Sequence, residues 1–135
     1  MKELTLDAVV ENIGTVTDFV NAQLEALDCP MRAQMQIDVA IDELFSNIAN
    51  YAYATESGTA TVRVEVDEPT MNVIITFIDH GIPYDPLARE DPDVTLSAEE
   101  RQIGGLGIFL VKKTMDDISY EYKDGKNILS IRKAL

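Results

Sequence analysis

The chain has 135 residues, 46% hydrophobic and 26% charged, which is about one domain of foldable rather than disordered sequence. Eleven Lys and Arg stand against 24 Asp and Glu, a formal charge of −13, which argues against general nucleic-acid binding and against anionic membrane surfaces. Cys29 is the only cysteine, so no intrachain disulfide forms; no signal core or membrane span is read, and a reducing cytoplasm is expected.

Leu4 and Leu6 alternate with polar neighbours and predict a short strand over 3–8. Val9, Ile13, Val16, Val20, Leu24 and Leu27 then recur at helical spacing, with Asp7 as the expected N-cap. Asp28-Cys29-Pro30 ends that helix and starts a second over 31–54. In it Ile37, Ile41, Leu44, Phe45, Ile48 and Ala52 form the core stripe, and Asp38, Asp42, Glu43, Ser46, Asn47 and Asn50 lie off it. Residues 59–67 alternate cleanly and 71–79 are richer in Ile and Val, which predicts a β-hairpin with the second strand more central.

Residues 80–103 carry Pro83, Pro86 and Pro92 and are irregular, apart from a capping-box turn at 97–100. So long a connection in one domain reads as a functional lid or a disordered segment. A glycine-rich stretch, Gly104-Gly105-Leu106-Gly107, opens a helix over 108–115. Strands 118–123 and 126–132 are joined by Asp124-Gly125, a two-residue hairpin signal that sets Tyr120 opposite Leu129 and Ile118 opposite Ile131. Strands that come mostly as hairpins, with few helices, predict an α+β two-layer sandwich: a mixed, mainly antiparallel sheet with helices on one face.

Three clusters can carry chemistry. Glu43 and Asn47 are one helical turn apart, so a general base and an amide oxygen for a hard cation share a face. Asp79 ends an apolar strand and Gly81 lets backbone approach a ligand; an acceptor-only carboxylate there suits an exocyclic amine. Gly104-Gly105-Leu106-Gly107-Ile108 presents free amides at a helix start, where anions bind. It is neither a P-loop nor a dinucleotide fingerprint, because no Gly-Lys-Ser/Thr follows and no parallel βαβ unit surrounds it. Taken singly, each cluster also fits an ordinary solvated face, turn or flexible loop.

In this order the clusters resemble the N, G1 and G2 boxes of the GHKL (Bergerat-fold) ATP-binding superfamily, over nearly the whole chain. The stretch 104–113 is most similar to the small anti-sigma-factor serine/threonine kinases. The resemblance implies a single histidine kinase-like ATP-binding domain over 1–135. It implies that Asp79 bonds the adenine amino group with Gly81 beside the base, and that Asn47 holds Mg²⁺. Gly104, Gly105, Leu106, Gly107 and Ile108 would cradle the phosphates of ATP, and Glu43 would orient or deprotonate the attacking hydroxyl. The implied partners are an anti-sigma-factor antagonist protein, a sigma factor, and a second copy of the chain as homodimer.

The family's two G1 glycines become Gly81-Ile82-Pro83, and Tyr51 stands where related kinases often carry His. A Gly-Thr pair entering the last strand is replaced by Gly125-Lys126, with Ser130 as a weak substitute. Two readings stay open: a serine/threonine protein kinase, or a nucleotide-gated protein-binding regulator without phosphoryl transfer. A detached histidine-kinase catalytic domain is a third.

Overall fold

Among the described residues, period-two alternation builds one sheet of five strands: β1 (Lys2–Asp7), β2 (Thr59–Asp67), β3 (Asn72–Asp79), β4 (Asp117–Lys123) and β5 (Lys126–Ala134). The structure, a computed structural model, describes residues 1–53, 57–88 and 106–135, without the side chains of Ala88 and Leu106. The strand order is β1-β2-β3-β5-β4, and all four pairings are antiparallel. No parallel pair occurs among the described residues, so the sheet is simpler than the mixed one expected.

The hairpin register follows the turn. Ile118 pairs with Ile131 and Tyr120 with Leu129. Asp124 and Gly125 both take positive φ, 54° and 76°, the backbone that a two-residue turn between twisted strands requires.

Among the described residues three α-helices cover one face: α1 (Ile13–Glu25), α2 (Met31–Asn47) and α3 (Leu106–Thr114). Asp7 does not cap α1. It is the last residue of β1, and a 3-10 turn over Val10–Asn12 intervenes, with the Asn12 side chain donating to the Asp7 carbonyl at 2.8 Å. The chain leaves α1 through Asp28 at φ 53°. Asp28 N donates to Glu25 O and Cys29 N to Leu24 O, each at 3.1 Å, which is a Schellman ending. The second helix is shorter than expected: α2 stops at Asn47, and Ile48–Ala52 widens into a π turn. The 97–100 turn lies outside the described residues.

Val16, Val20, Ile37, Ile41, Leu44 and Phe45 of the helices pack on Val62, Val73, Ile75, Phe77, Leu129 and Ile131 of the sheet. Burying each such side chain contributes about 1.5–3 kcal/mol, so this layer holds the helices on the sheet. The opposite face is mixed: Ile74, Ile78 and Ile128 lie on it among polar pairs, with Thr5 bonding Thr61 at 2.9 Å, Thr76 bonding Ser130 at 3.0 Å and Arg63 reaching Glu3 at 3.4 Å. It is the uncovered side of a two-layer sandwich.

Candidate functional site

Val73, Ile75, Phe77 and Asp79 share one parity on β3, so the strand that builds the core delivers a carboxylate into the layer beneath the helices. Asp79 is only 4% exposed. Its partner across the sheet is Asn127 of β5. Asn127 Nδ2 donates to Asp79 Oδ1 at 2.9 Å, and Gly81 N donates to the same oxygen at 2.9 Å. Oδ2 accepts no hydrogen bond among the described residues and is the free acceptor of the site.

Asn127 is satisfied on every side. Nδ2 also donates to the Ile82 carbonyl at 2.8 Å, while Oδ1 accepts from Tyr84 N at 3.2 Å and from the Tyr120 hydroxyl. Burial, together with the negative charges of Asp85 and Asp79, pushes the Tyr120 phenol above its ordinary pKa, so it keeps its proton and its donor role. A buried polar residue with all partners in place fixes geometry.

The segment after Asp79 rests on the π turn. Ile82 N donates to the Ala52 carbonyl at 2.8 Å. A Cβ on Gly81 would overlap that carbonyl and stand 2.6 Å from the Ala52 Cβ, so glycine is needed for close approach, not for an unusual φ. Tyr53 ties the same corner: its hydroxyl accepts from His80 N at 2.8 Å and donates to Thr59 O at 2.5 Å. His80 is exposed. Burial pushes the Tyr53 phenol up, with Asp79 adding to the effect against the opposing bond from His80 N, so this donor also stays protonated.

These elements enclose a cleft of about 440 Å³, counted with its open mouth. Leu44 and Ile48 of the helix side, and Phe77 and Leu129 of the sheet, supply apolar walls; Asn47, Asp79, Asn127 and Tyr120 supply polar groups. Apolar walls with one buried free acceptor suit a flat heteroaromatic ring that carries an amine. Tyr51 and Tyr84 stand ring to ring, 6.0 Å between centroids and 32° apart, and Tyr84 also lines the cleft.

Asn47 lines the same cleft as Asp79, and its side chain is not committed to any described residue. One turn back on α2, Glu43 reaches α3, where a Cβ on Gly107 would overlap its carboxylate. Gly107 and Ile108 lie in the first turn of α3, whose backbone N–H groups have no intrahelical acceptor. The Ile108 side chain is buried in the core, so only its amide can serve a ligand. Leu106 opens α3; Gly104 and Gly105 lie outside the described residues. Thus Asp79 and Asn47 line the cleft, Gly81 bonds Asp79, and Glu43, one helical turn before Asn47, meets Gly107 in the first turn of α3.

Asn127 and Tyr120 are the residues that sequence reasoning missed. Ser130 does not substitute for the family's threonine: it has the other parity on β5 and bonds Thr76 on the open face. The signal for Asn127 was present. Leu129 and Ile131 set the inward parity, and Asn127 is a polar residue on that parity at the start of the strand. Tyr120 is more than strand packing, because its hydroxyl belongs to the Asp79 network.

Among the described residues no group of three or more His, Cys, Asp or Glu could hold a metal ion. The Asn47 amide oxygen, with water and a ligand's own oxygens, is a donor set that would suit Mg²⁺.

The chain is similar to known proteins in sequence and in fold. The chain is 28% identical over 100 residues to the serine/threonine-protein kinase BtrW of Bordetella bronchiseptica, covering 74% of this chain and 70% of the relative. It is 31% identical over 98 residues to the serine-protein kinase RsbW of Listeria monocytogenes, covering 69% of this chain and spanning 61% of that relative's length. Its fold matches the crystal structure of the RsbU and RsbW domains of Rv1364c from Mycobacterium tuberculosis with a TM-score of 0.69 at 18% identity, covering all of this chain and 33% of the other. Residues 6–133 match the histidine kinase-like ATPase domain, which places Asp79, Asn47 and the start of α3 within one recognised unit. The chain belongs to the histidine kinase-like ATPase domain family.

Proposed function

We propose that the protein is an ATP-dependent serine/threonine protein kinase of the anti-sigma-factor type, regulating a partner protein by binding and phosphorylation. The observation that carries this reading is Asp79, buried and held through Oδ1 by Asn127 and Gly81, with Oδ2 free in a cleft that Asn47 also lines. Adenine's amino group donates to Oδ2, and its ring lies between Leu44 and Ile48 on one side and Phe77 and Leu129 on the other. The triphosphate runs past Asn47 to the first turn of α3, with Gly104, Gly105, Leu106, Gly107 and Ile108 as its cradle. Asn47 would hold Mg²⁺, which would supply charge neutralisation at the phosphates.

Glu43 sits beyond Asn47 and accepts the proton of a serine or threonine hydroxyl on the partner. That oxygen forms the new bond to the γ-phosphorus, the bond to the β,γ-bridging oxygen breaks, and ADP leaves with the electron pair. Such a transfer asks for positioning and charge stabilisation more than covalent chemistry.

The partners in this reading are an anti-sigma-factor antagonist and a sigma factor, and the working unit is a homodimer. The compartment is the cytoplasm; no helix among the described residues is long and apolar enough to cross a membrane. The test is transfer of label from γ-labelled ATP to the antagonist, with isothermal titration of ATP and ADP in Mg²⁺. Transfer that is lost in Glu43→Ala, with ATP binding retained, supports the kinase. Tight ATP binding without labelled protein or ADP favours the nucleotide-gated regulator instead.

A further inference from the structure

We propose that Gly107, besides its place in the cradle, is the seat of the Glu43 carboxylate, a positioning residue for the proton acceptor. The inference rests on the reading of Glu43 just given. A Cβ on Gly107 would overlap Oε2 and Cδ of Glu43 and stand 2.6 Å from Oε1. Its three nearest neighbours are thus the atoms of one carboxylate.

Glycine is not at this position for conformational freedom. Gly107 lies inside α3 and has no positive φ. Alanine would favour the helix there. What glycine supplies is space, and one functional group occupies that space.

Gly81 makes the contrast. Its missing Cβ would strike the Ala52 backbone, which cannot move without moving the π turn. At Gly107 the obstacle is the far end of a flexible side chain. A methyl group there meets side-chain atoms that can swing away, so the carboxylate gives way before the backbone does. Displacement matters, because a general base must lie within hydrogen-bond reach of its proton. The seat also places the carboxylate at the positive end of α3, which favours its charge.

The experiment measures initial rates of phosphoryl transfer to the antagonist at varied ATP for wild type, Gly107→Ala, Glu43→Asp and the double variant. Thermal melts of each are added, with Glu43→Ala alone and combined with Gly107→Ala. Gly107→Ala should lower kcat at least about tenfold while KM for ATP moves less than about threefold. Aspartate is one methylene shorter, so the double variant should be faster than Gly107→Ala alone. Any loss of Tm caused by Gly107→Ala should vanish in the Glu43→Ala background.

Wild-type kcat in Gly107→Ala, a raised KM with unchanged kcat, or a double variant slower than both single variants would overturn the seat. If Gly107→Ala does not fold, the combination with Glu43→Ala decides: a folded protein supports the seat and an unfolded one overturns it. Full activity of Glu43→Ala sinks the role of Glu43 itself, a separate failure, and the melts then judge the seat alone.

Discussion

Asn127 and Asp79 stand directly opposite each other on β5 and β3, and the amide of one donates to Oδ1 of the other at 2.9 Å. The same amide group takes in Ile82 O, Tyr84 N and the Tyr120 hydroxyl, so one side chain sets both the acceptor and the segment that follows it.

Asn127→Ala should therefore damage stability and binding together. It leaves Asp79 Oδ1 with Gly81 N alone and strips Ile82 O of its Asn127 donor. Unsatisfied buried groups cost about 1–3 kcal/mol each, so a chemical melt should register a loss of that order. ATP affinity by calorimetry should fall at least about tenfold, which corresponds to roughly 1.4 kcal/mol. Unchanged affinity would show that Asp79 needs no support from β5.

Asp79 should also set base preference. A carboxylate accepts and cannot donate, and adenine offers an amine where guanine offers a carbonyl. A hydrogen bond to a charged group contributes about 1.5–3 kcal/mol, so ATP should bind about tenfold to a hundredfold more tightly than GTP. In Asp79→Asn the margin should shrink, because an amide can turn either group toward the ligand. Competition titration with both nucleotides reads this directly, and equal affinities in the wild type would contradict it.

Gly81→Ala is the backbone counterpart. The added methyl meets the Ala52 carbonyl, which already accepts from Ile82 N at 2.8 Å. Overpacking against backbone costs about 1–3 kcal/mol. The variant should melt lower than wild type and bind ATP less tightly, as the segment beside Asp79 lifts off the π turn. A wild-type melt would mean that this corner yields more easily than its hydrogen bonds suggest.

Much of this fold is legible because period and turn chemistry agree. Alternation in 59–67 places Val62 and Val64 inward, and Asp124-Gly125 alone fixes the last hairpin's register. What stayed hidden came from tertiary contacts. Asp7 looks like a cap but is spent in a strand, and nothing local announces the π turn after Asn47. The candidate site was legible as residue types in order, Glu43 to Asn47 to Asp79 to Gly107. Its internal wiring was not, because Asn127 lies 48 residues from Asp79 and meets it only through strand pairing. The steric tie of Glu43 to Gly107 has the same origin: it joins two helices with no motif between them.

Away from the cleft, Asp38 on α2 gives the protein a pH-dependent cost. Burial raises its carboxyl above the ordinary value of 3.8, the Asn21 side chain offsets part of this, and Oδ1 finds no hydrogen-bond partner among the described residues. A raised folded pKa means that the folded state holds this proton longer than the unfolded chain does. Stability from this group is therefore present at low pH and is lost as pH rises through the folded value. Asp38→Asn removes the loss. The variant should melt a few degrees higher than wild type at pH 7, and the difference should close as pH falls to the unfolded carboxyl value. Cys29 gives a second readout. Its thiol is pushed up first by burial and then by the Asp38 charge, so the substitution should lower it modestly and speed alkylation at a fixed, mildly alkaline pH. A melting difference that stays constant from neutral to acid would show that the Asp38 charge is not the source of the cost.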